Sequence, residues 1–427
     1  MRLRIAAVAA AAALSLPALA ACGSSGSSGG SGPVTLTYWT SGLPAETKWI
    51  DSHFNATHHG ITVHGQYVAS SDESTSKEVA ALKTNTEPNV ILGQDPASLP
   101  LLAESGKVVD LSKSLKSETN ALYPSIRPAL FYQGKQLGMA LGGVGDYALF
   151  YNKKDFAAAG IKAPPKTWAQ LEADAKKLSD PARHRYGIYI PFGTDEWISY
   201  DWESLLWSDG GQFLNPSQTR TAFDSPAGVA ALTTWVNLVR KDHAAPTTSY
   251  AQAGSYDGAP AFASGAVAMI VDGQWALSEV KNTDYGVAPM PAGTSGKSAA
   301  GIGIGTATVF DHGSAANDAA TTFVKWLAQP AQGAYLDSAT SGLPSSPDQL
   351  SQPAVKKEEA SQPSYRVFAS QLATGRVRPT VPAYTAISTD LATEINAALT
   401  GGISPAAALA KAAAEGNKAI ASDAAGS

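Results

Sequence analysis

One cysteine in 427 residues excludes an internal disulfide framework, a cysteine-rich zinc site, an iron–sulfur cluster and any Cys-x-x-Cys redox pair. Charge is sparse: charged residues make up 16% of the chain, and 31 basic against 36 acidic give a net −5. That balance offers no basic excess to a phosphate backbone, so no nucleic acid partner is expected. The seven histidines include His58-His59 but no His-Glu-x-x-His or comparable ligand spacing, so no metal is expected. Catalytic signatures are also missing. Ser-x-x-Lys occurs at Ser74–Lys77 and Ser278–Lys281 without the Ser-Asp-Asn or Lys-Thr-Gly that would complete a penicillin-recognising site. Gly26-Ser-Ser-Gly-Gly30 has nucleophile-elbow spacing only because it lies in a Gly/Ser run. No catalytic residue and no cofactor is therefore expected, and Gly301-Ile-Gly-Ile-Gly305 lacks the spacing of a dinucleotide loop.

Long apolar runs are confined to the start of the chain. Met-Arg-Leu-Arg4, an apolar stretch from Ile5 to Leu16 and a small-residue exit to Cys22 read as a secretory leader, since the run is too short to span a bilayer. Leu19-Ala-Ala-Cys22 resembles a bacterial lipobox, which implies cleavage before Cys22 and acylation of that residue. Two or three acyl chains, at about 0.8 kcal/mol per buried methylene, anchor a protein stably. Residues 23–32 are only Gly and Ser and read as a flexible tether. The rest can fold: 44% of the chain is hydrophobic, with 9 Trp, 15 Tyr and 11 Phe.

Strand-like and helix-like segments alternate along the remainder. Val34–Trp39, Ile61–Tyr67, Asn89–Leu92, Tyr186–Pro191 and Val267–Val271 carry strand composition. Helical spacing falls at Ser74–Thr84, at 167–178 behind an N-cap at Thr167, at Pro226–Arg240 and at Asp318–Leu327. Two further helices are expected over Ile387–Ala421, broken at Gly401-Gly402. Such alternation predicts an α/β fold with mainly parallel sheets.

Several stretches, in order, resemble the sugar- and oligosaccharide-binding (maltose-binding type) solute receptors of bacterial ABC importers. Ala148-Leu-Phe-Tyr-Asn-Lys153, Ala159-Gly-Ile161 and Pro164-Pro-Lys-Thr-Trp168 are similar to one run of that family. Ala261-Phe-Ala-Ser-Gly265, Ala268-Met269, Gly273-Gln-Trp275 and Tyr285-Gly-Val-Ala-Pro-Met-Pro291 are similar to another. A departure is Glu87-Pro88-Asn89, where the family usually has Pro-Asp before the strand. The resemblance implies a two-lobed periplasmic-binding-protein-like fold with a ligand cleft between the lobes and a crossing-strand hinge. One lobe would comprise 33–143 with 300–342 and the other 144–299 with 343–427. Crossings are expected near Gly142–Gly145, Pro291–Ala300 and Ser341–Ser345.

Sugars offer flat C–H faces and hydroxyl edges, so their sites combine aromatic rings with planar polar groups. The candidates are Trp39 at the end of the first strand, Asp95 after the third, Asp146 and Tyr147 after the first glycine crossing, and Trp197 in the aromatic and acidic stretch 193–202. To these are added Trp275, which matches the family's sugar-stacking tryptophan, the backbone at Gly303, and Arg376 before the final helices. Gln94, Glu196, Tyr200, Trp202, Gly301, Arg378 and Tyr384 stand behind them, and Asp272 is favoured as a cap. The resemblance implies a monomeric receptor, lipid-anchored to the outer face of the cell membrane through Cys22, which carries a carbohydrate to an ABC importer permease. The alternatives are the same role for a peptide, polyamine or chelate, or an extracellular carbohydrate-active enzyme. The enzyme would need two acids about 5–10 Å apart across the site.

Overall fold

The computed structural model describes residues 32–41, 44–68, 71–194, 196–247 and 258–426. Cys22 and the leader lie outside them. From Pro33 onward the chain forms one unit that contains two five-stranded sheets and a small hairpin.

The first sheet is built from β1 (Val34–Thr40), β2 (Ile61–Tyr67) and β3 (Val90–Gln94). After the hairpin β4 (Phe131–Tyr132) and β5 (Lys135–Gln136) comes β6 (Met139–Ala140), at the sheet's far edge. The second sheet is organised around β7 (Gly145–Asn152), which pairs with β8 (Met269–Gly273) and β9 (Tyr285–Ala288). It is completed by β10 (Gly301–Gly303) and, last in the chain, β12 (Arg376–Val377). Between these two, β11 (Thr306–Val309) returns to the first sheet, between β3 and β6.

Parallel pairing dominates only in part of this arrangement. β1 runs parallel to β2 and β3, whereas β11 is antiparallel to both its neighbours. In the second sheet β7 is antiparallel to β8, β9 and β10, and only β10–β12 is parallel. This corrects the expectation of mainly parallel sheets, and the reason is topological. β7 leads away from the first sheet and β10 leads back towards it, so the two must run in opposite directions.

Most of the helices follow the apolar spacing. Trp168–Leu178 starts behind Thr167, whose hydroxyl accepts from the Gln170 amide, and buries Trp168, Leu171 and Ala175. Pro226–Val236 ends in a wide turn over Asn237–Lys241, shorter as an α-helix than the spacing suggests. Tyr384–Thr400 stops at Gly401, whose φ of 89° suits a residue without a side chain. The chain then reverses into Pro405–Gly426, and Leu391, Ile395 and Leu399 share a core with Leu409 and Ala412. Among the described residues no helix is long and apolar enough to cross a membrane.

Tyr186–Pro191 is not a strand. Its Ile188 and Ile190 are buried, but its amides bond in turn to Ala266, Ala244 and Met269 carbonyls rather than to one partner strand. Alternating composition recorded burial here, not a ladder.

The sheets are joined at three places. Leu141–Val144 links β6 to β7, and Ile304-Gly305 links β10 to β11, downstream of the expected 291–300. The third, Ser341–Ser345, runs beside the first: Leu343 donates to the Val144 carbonyl at 2.8 Å and Val144 donates back at 3.2 Å. Their backbones touch, so that a Cβ at Gly342 would collide with the Cα of Gly143. The buried Asp337 carboxylate accepts the Gly143 amide at 2.8 Å, and Tyr365 donates to the Gly342 carbonyl at 2.7 Å.

Candidate functional site

A cleft of about 710 Å³ opens where the two sheets meet. Its floor is the joining backbone and the strand ends beside it: Gly142 and Gly143 of the first link with Gly145 opening β7, Ile304 and Gly305 of the second with Gly303 closing β10, and Gly342 of the third. One wall follows the first sheet, with Thr40 and Ser41 at the end of β1, Glu46 and Ile50 on helix Pro44–Thr57, and Gly93 and Asp95 at the end of β3. The other wall is aromatic, made of Trp197, Tyr200 and Trp275.

The aromatic wall is held from behind. Trp197 stands 6.1 Å from both Tyr200 and Trp275, centroid to centroid. The fully buried Tyr147 backs Tyr200 at 5.0 Å and Trp275 at 5.9 Å. Trp275 rides on the turn Gln274–Ser278, which is pinned to the first link: the Gln274 side chain donates to the Val144 carbonyl at 2.9 Å and accepts from the Asp146 amide at 3.1 Å. Two glycines vacate the space the indole fills. A Cβ at Gly145 would stand 2.8 Å from the Trp275 ring, and one at Gly273 would collide with it.

Opposite charges meet across the cleft. Arg378, just past β12, donates through Nη2 to Asp95 at 2.6 Å and through Nη1 to Glu196 at 2.5 Å. Its guanidinium lies 4.9 Å above the Tyr200 ring centroid. Arg378 is only 16% exposed, whereas Asp95 and Glu196 are 36% and 45% exposed. Burial works against the Arg378 charge, but Asp95, Tyr384 and Glu196 outweigh it and hold the group ionised, well above its usual range. Beneath it lies Glu203, whose carboxyl is pushed well up by burial and accepts a long 3.5 Å hydrogen bond from Tyr384. Among the described residues no cluster of three or more His, Cys, Asp or Glu is placed to hold a metal ion.

The profile of the bacterial extracellular solute-binding proteins matches residues 34–334. The chain belongs to that family. This solute-binding protein superposes on the cyclic α-maltosyl-1,6-maltose binding protein of Arthrobacter globiformis with a TM-score of 0.81, at 25% identity over 91% of this chain and 99% of that one. With the sugar-binding protein MalE of Xanthomonas citri, at 20% identity, it shares the fold with a TM-score of 0.79 over 91% and 98% of the two chains. A maltotriose-binding protein of Pyrococcus abyssi is 26% identical over 170 residues, 39% of this chain and 34% of that protein. A putative binding protein of Brucella abortus is 31% identical over 171 residues, 38% and 39% of the two. The match thus spans about two-fifths or less of the length of these curated relatives.

Of the site residues expected in this solute-binding protein, Trp275, Trp197, Asp95 and Gly303 line the cleft. Four do not. Trp39 points to the other face of β1, because Leu36, Tyr38 and Thr40 take the face whose last member reaches the cleft. There it packs with Leu82, Ile91 and Phe310 beneath the Lys77 ammonium, 4.4 Å from the ring centroid. Asp146 is fully buried on β7, its carboxyl pushed well up by burial, and Tyr147 is the layer behind the aromatic wall. Arg376 turns outward, donating to Gln212 at 3.1 Å and lying 6.0 Å from the Trp207 ring. Its neighbour Arg378 takes the cleft position instead. Glu46 and Gln274 went unnoticed in the sequence: Glu46 sits in no distinctive motif, and Gln274 fills the variable position between Gly273 and Trp275.

Proposed function

We propose that this protein is an extracytoplasmic receptor that binds a sugar or oligosaccharide in the cleft, closes around it and delivers it to an ABC importer permease. The observation that carries the reading is the continuous wall of Trp197, Tyr200 and Trp275 facing carboxylates at Glu46 and Asp95. Rings stack on sugar C–H faces and carboxylates accept pairs of hydroxyls. Polar groups left unpaired in a closed cleft cost roughly 1–3 kcal/mol each, which is how such a site discriminates. The relatives support it through what they bind, a cyclic maltosyl-maltose and maltotriose. No covalent step is required, and Asp95 and Glu196 are both ion-paired with Arg378.

The lobes proposed are 33–143 with 300–342 and 144–299 with 343–427, save that β10 (Gly301–Gly303) goes with the second sheet it pairs in, in a protein acting as a monomer. A thermal-shift screen across neutral mono- and oligosaccharides tests the receptor role. A ligand at a hundredfold excess over its Kd adds about 2.7 kcal/mol to the folded state, so the binding sugar stands out as a raised Tm. A flat response to every sugar, with a rise for a peptide or polyamine, would move the cleft to another solute class. Anchoring through Cys22 is the second part of the proposal. Cys22→Ser should shift the protein from the membrane to the soluble fraction, and unchanged membrane fractionation would refute the anchor.

A further inference from the structure

We infer that Asp95 and Glu196 set a charge rule for the cleft: by neutralising Arg378 they bar anionic sugars (uronates, sialates, sugar phosphates) and reserve the site for uncharged ones. This rests on the sugar-receptor reading. Among the described residues lining the cleft, the carboxylates are Glu46, Asp95 and Glu196 and the cation is Arg378, so carboxylates outnumber cations. An arginine recognises an incoming carboxylate or phosphate by presenting a planar fork of N–H donors. Here each terminal nitrogen already donates to a carboxylate, Nη2 to Asp95 and Nη1 to Glu196. One face of the guanidinium is covered by Tyr200, and little of the side chain reaches solvent. An anionic sugar would have to displace a carboxylate from Arg378 or sit beside carboxylates with no free cation to meet it. An uncharged sugar meets neither obstacle, because its hydroxyls donate to the outer lone pairs of the same carboxylates. Arg378 therefore orders Asp95 and Glu196 as acceptors, and its positive charge is offset by theirs.

Matched pairs test this: maltotriose and cellotriose, each against the form oxidised at its terminal C6 to a glucuronate, by calorimetry at low salt. The expected result is a gap of tenfold or more in favour of the neutral member, shrinking as salt is raised. Glu196→Gln should narrow the ratio of the two affinities at least threefold, whatever happens to each affinity separately. Asp95→Asn is the second variant, read the same way if the first fails to fold. It is second because Asp95 also accepts the Ala97 amide at 2.9 Å to cap a turn. A smaller gap, or a ratio unmoved by the substitution, overturns the inference. Uronates binding alone overturn it while the sugar reading stands. If no member of any pair binds, and none of the neutral panel does, the sugar reading falls and the charge rule with it.

Discussion

Trp275→Ala should weaken sugar binding by about thirtyfold or more while the protein still folds. The indole is the part of the aromatic wall most firmly placed: Gly145 and Gly273 leave its space open, Gln274 fixes its turn and Tyr147 supports its edge. A ring presented on so rigid a mount orders little on binding, so most of its contact energy is retained. Truncating an aromatic anchor in a binding site typically costs 2 kcal/mol or more, and every 1.4 kcal/mol is a factor of ten in Kd. Calorimetry with the sugar identified by the thermal screen gives the affinity, and near-UV circular dichroism reports the fold. Trp275→Phe should recover part of the loss, because a smaller ring still offers a face. An alanine variant that binds as well as the parent would remove stacking on Trp275 from the mechanism.

The second large effect is expected from Arg378. Arg378→Ala leaves Asp95 and Glu196 facing each other and uncovers the Tyr200 ring. Removing one partner of a fully buried ion pair costs 3–5 kcal/mol. The two carboxylates here are partly exposed, so water screens the repulsion and roughly 1–3 kcal/mol is a fairer figure. Sugar affinity should fall at least tenfold, because the two acceptors lose the group that holds them in place. Arg378→Lys should rescue little, since an ammonium is a point charge and cannot fork to two carboxylates while lying flat on a ring. The outcome that counts against this account is a lysine variant indistinguishable from the parent in both Tm and affinity.

How much of this was legible in the sequence varies by residue, for physical reasons. Gly273-Gln-Trp275 was the best signal and the structure explains the spacing: the glycine makes room for the ring two positions later. The helix caps at Thr167 and Gly401 were equally readable, being local devices whose partners lie within a few residues. Trp39 misled because an aromatic at a strand end fits either face, and the face is settled only by which neighbours the sheet buries. Arg376 and Arg378 are indistinguishable by type or spacing. They part company where β12 ends at Val377, a boundary fixed by pairing with β10 far away in the chain. The direction of β7 against β10 likewise depends on which sheet each strand joins, which no local pattern records.

The floor of the cleft and the links between the sheets are the same backbone: Gly142, Gly143, Ile304, Gly305 and Gly342 belong to both. In mechanical terms a solute on that floor rests against the axle, not between the tips of the jaws. A lever loaded beside its pivot turns a displacement of a fraction of an ångström into a much larger travel at the rim. The rim is the part a permease would meet, so a small solute can announce itself there without touching it.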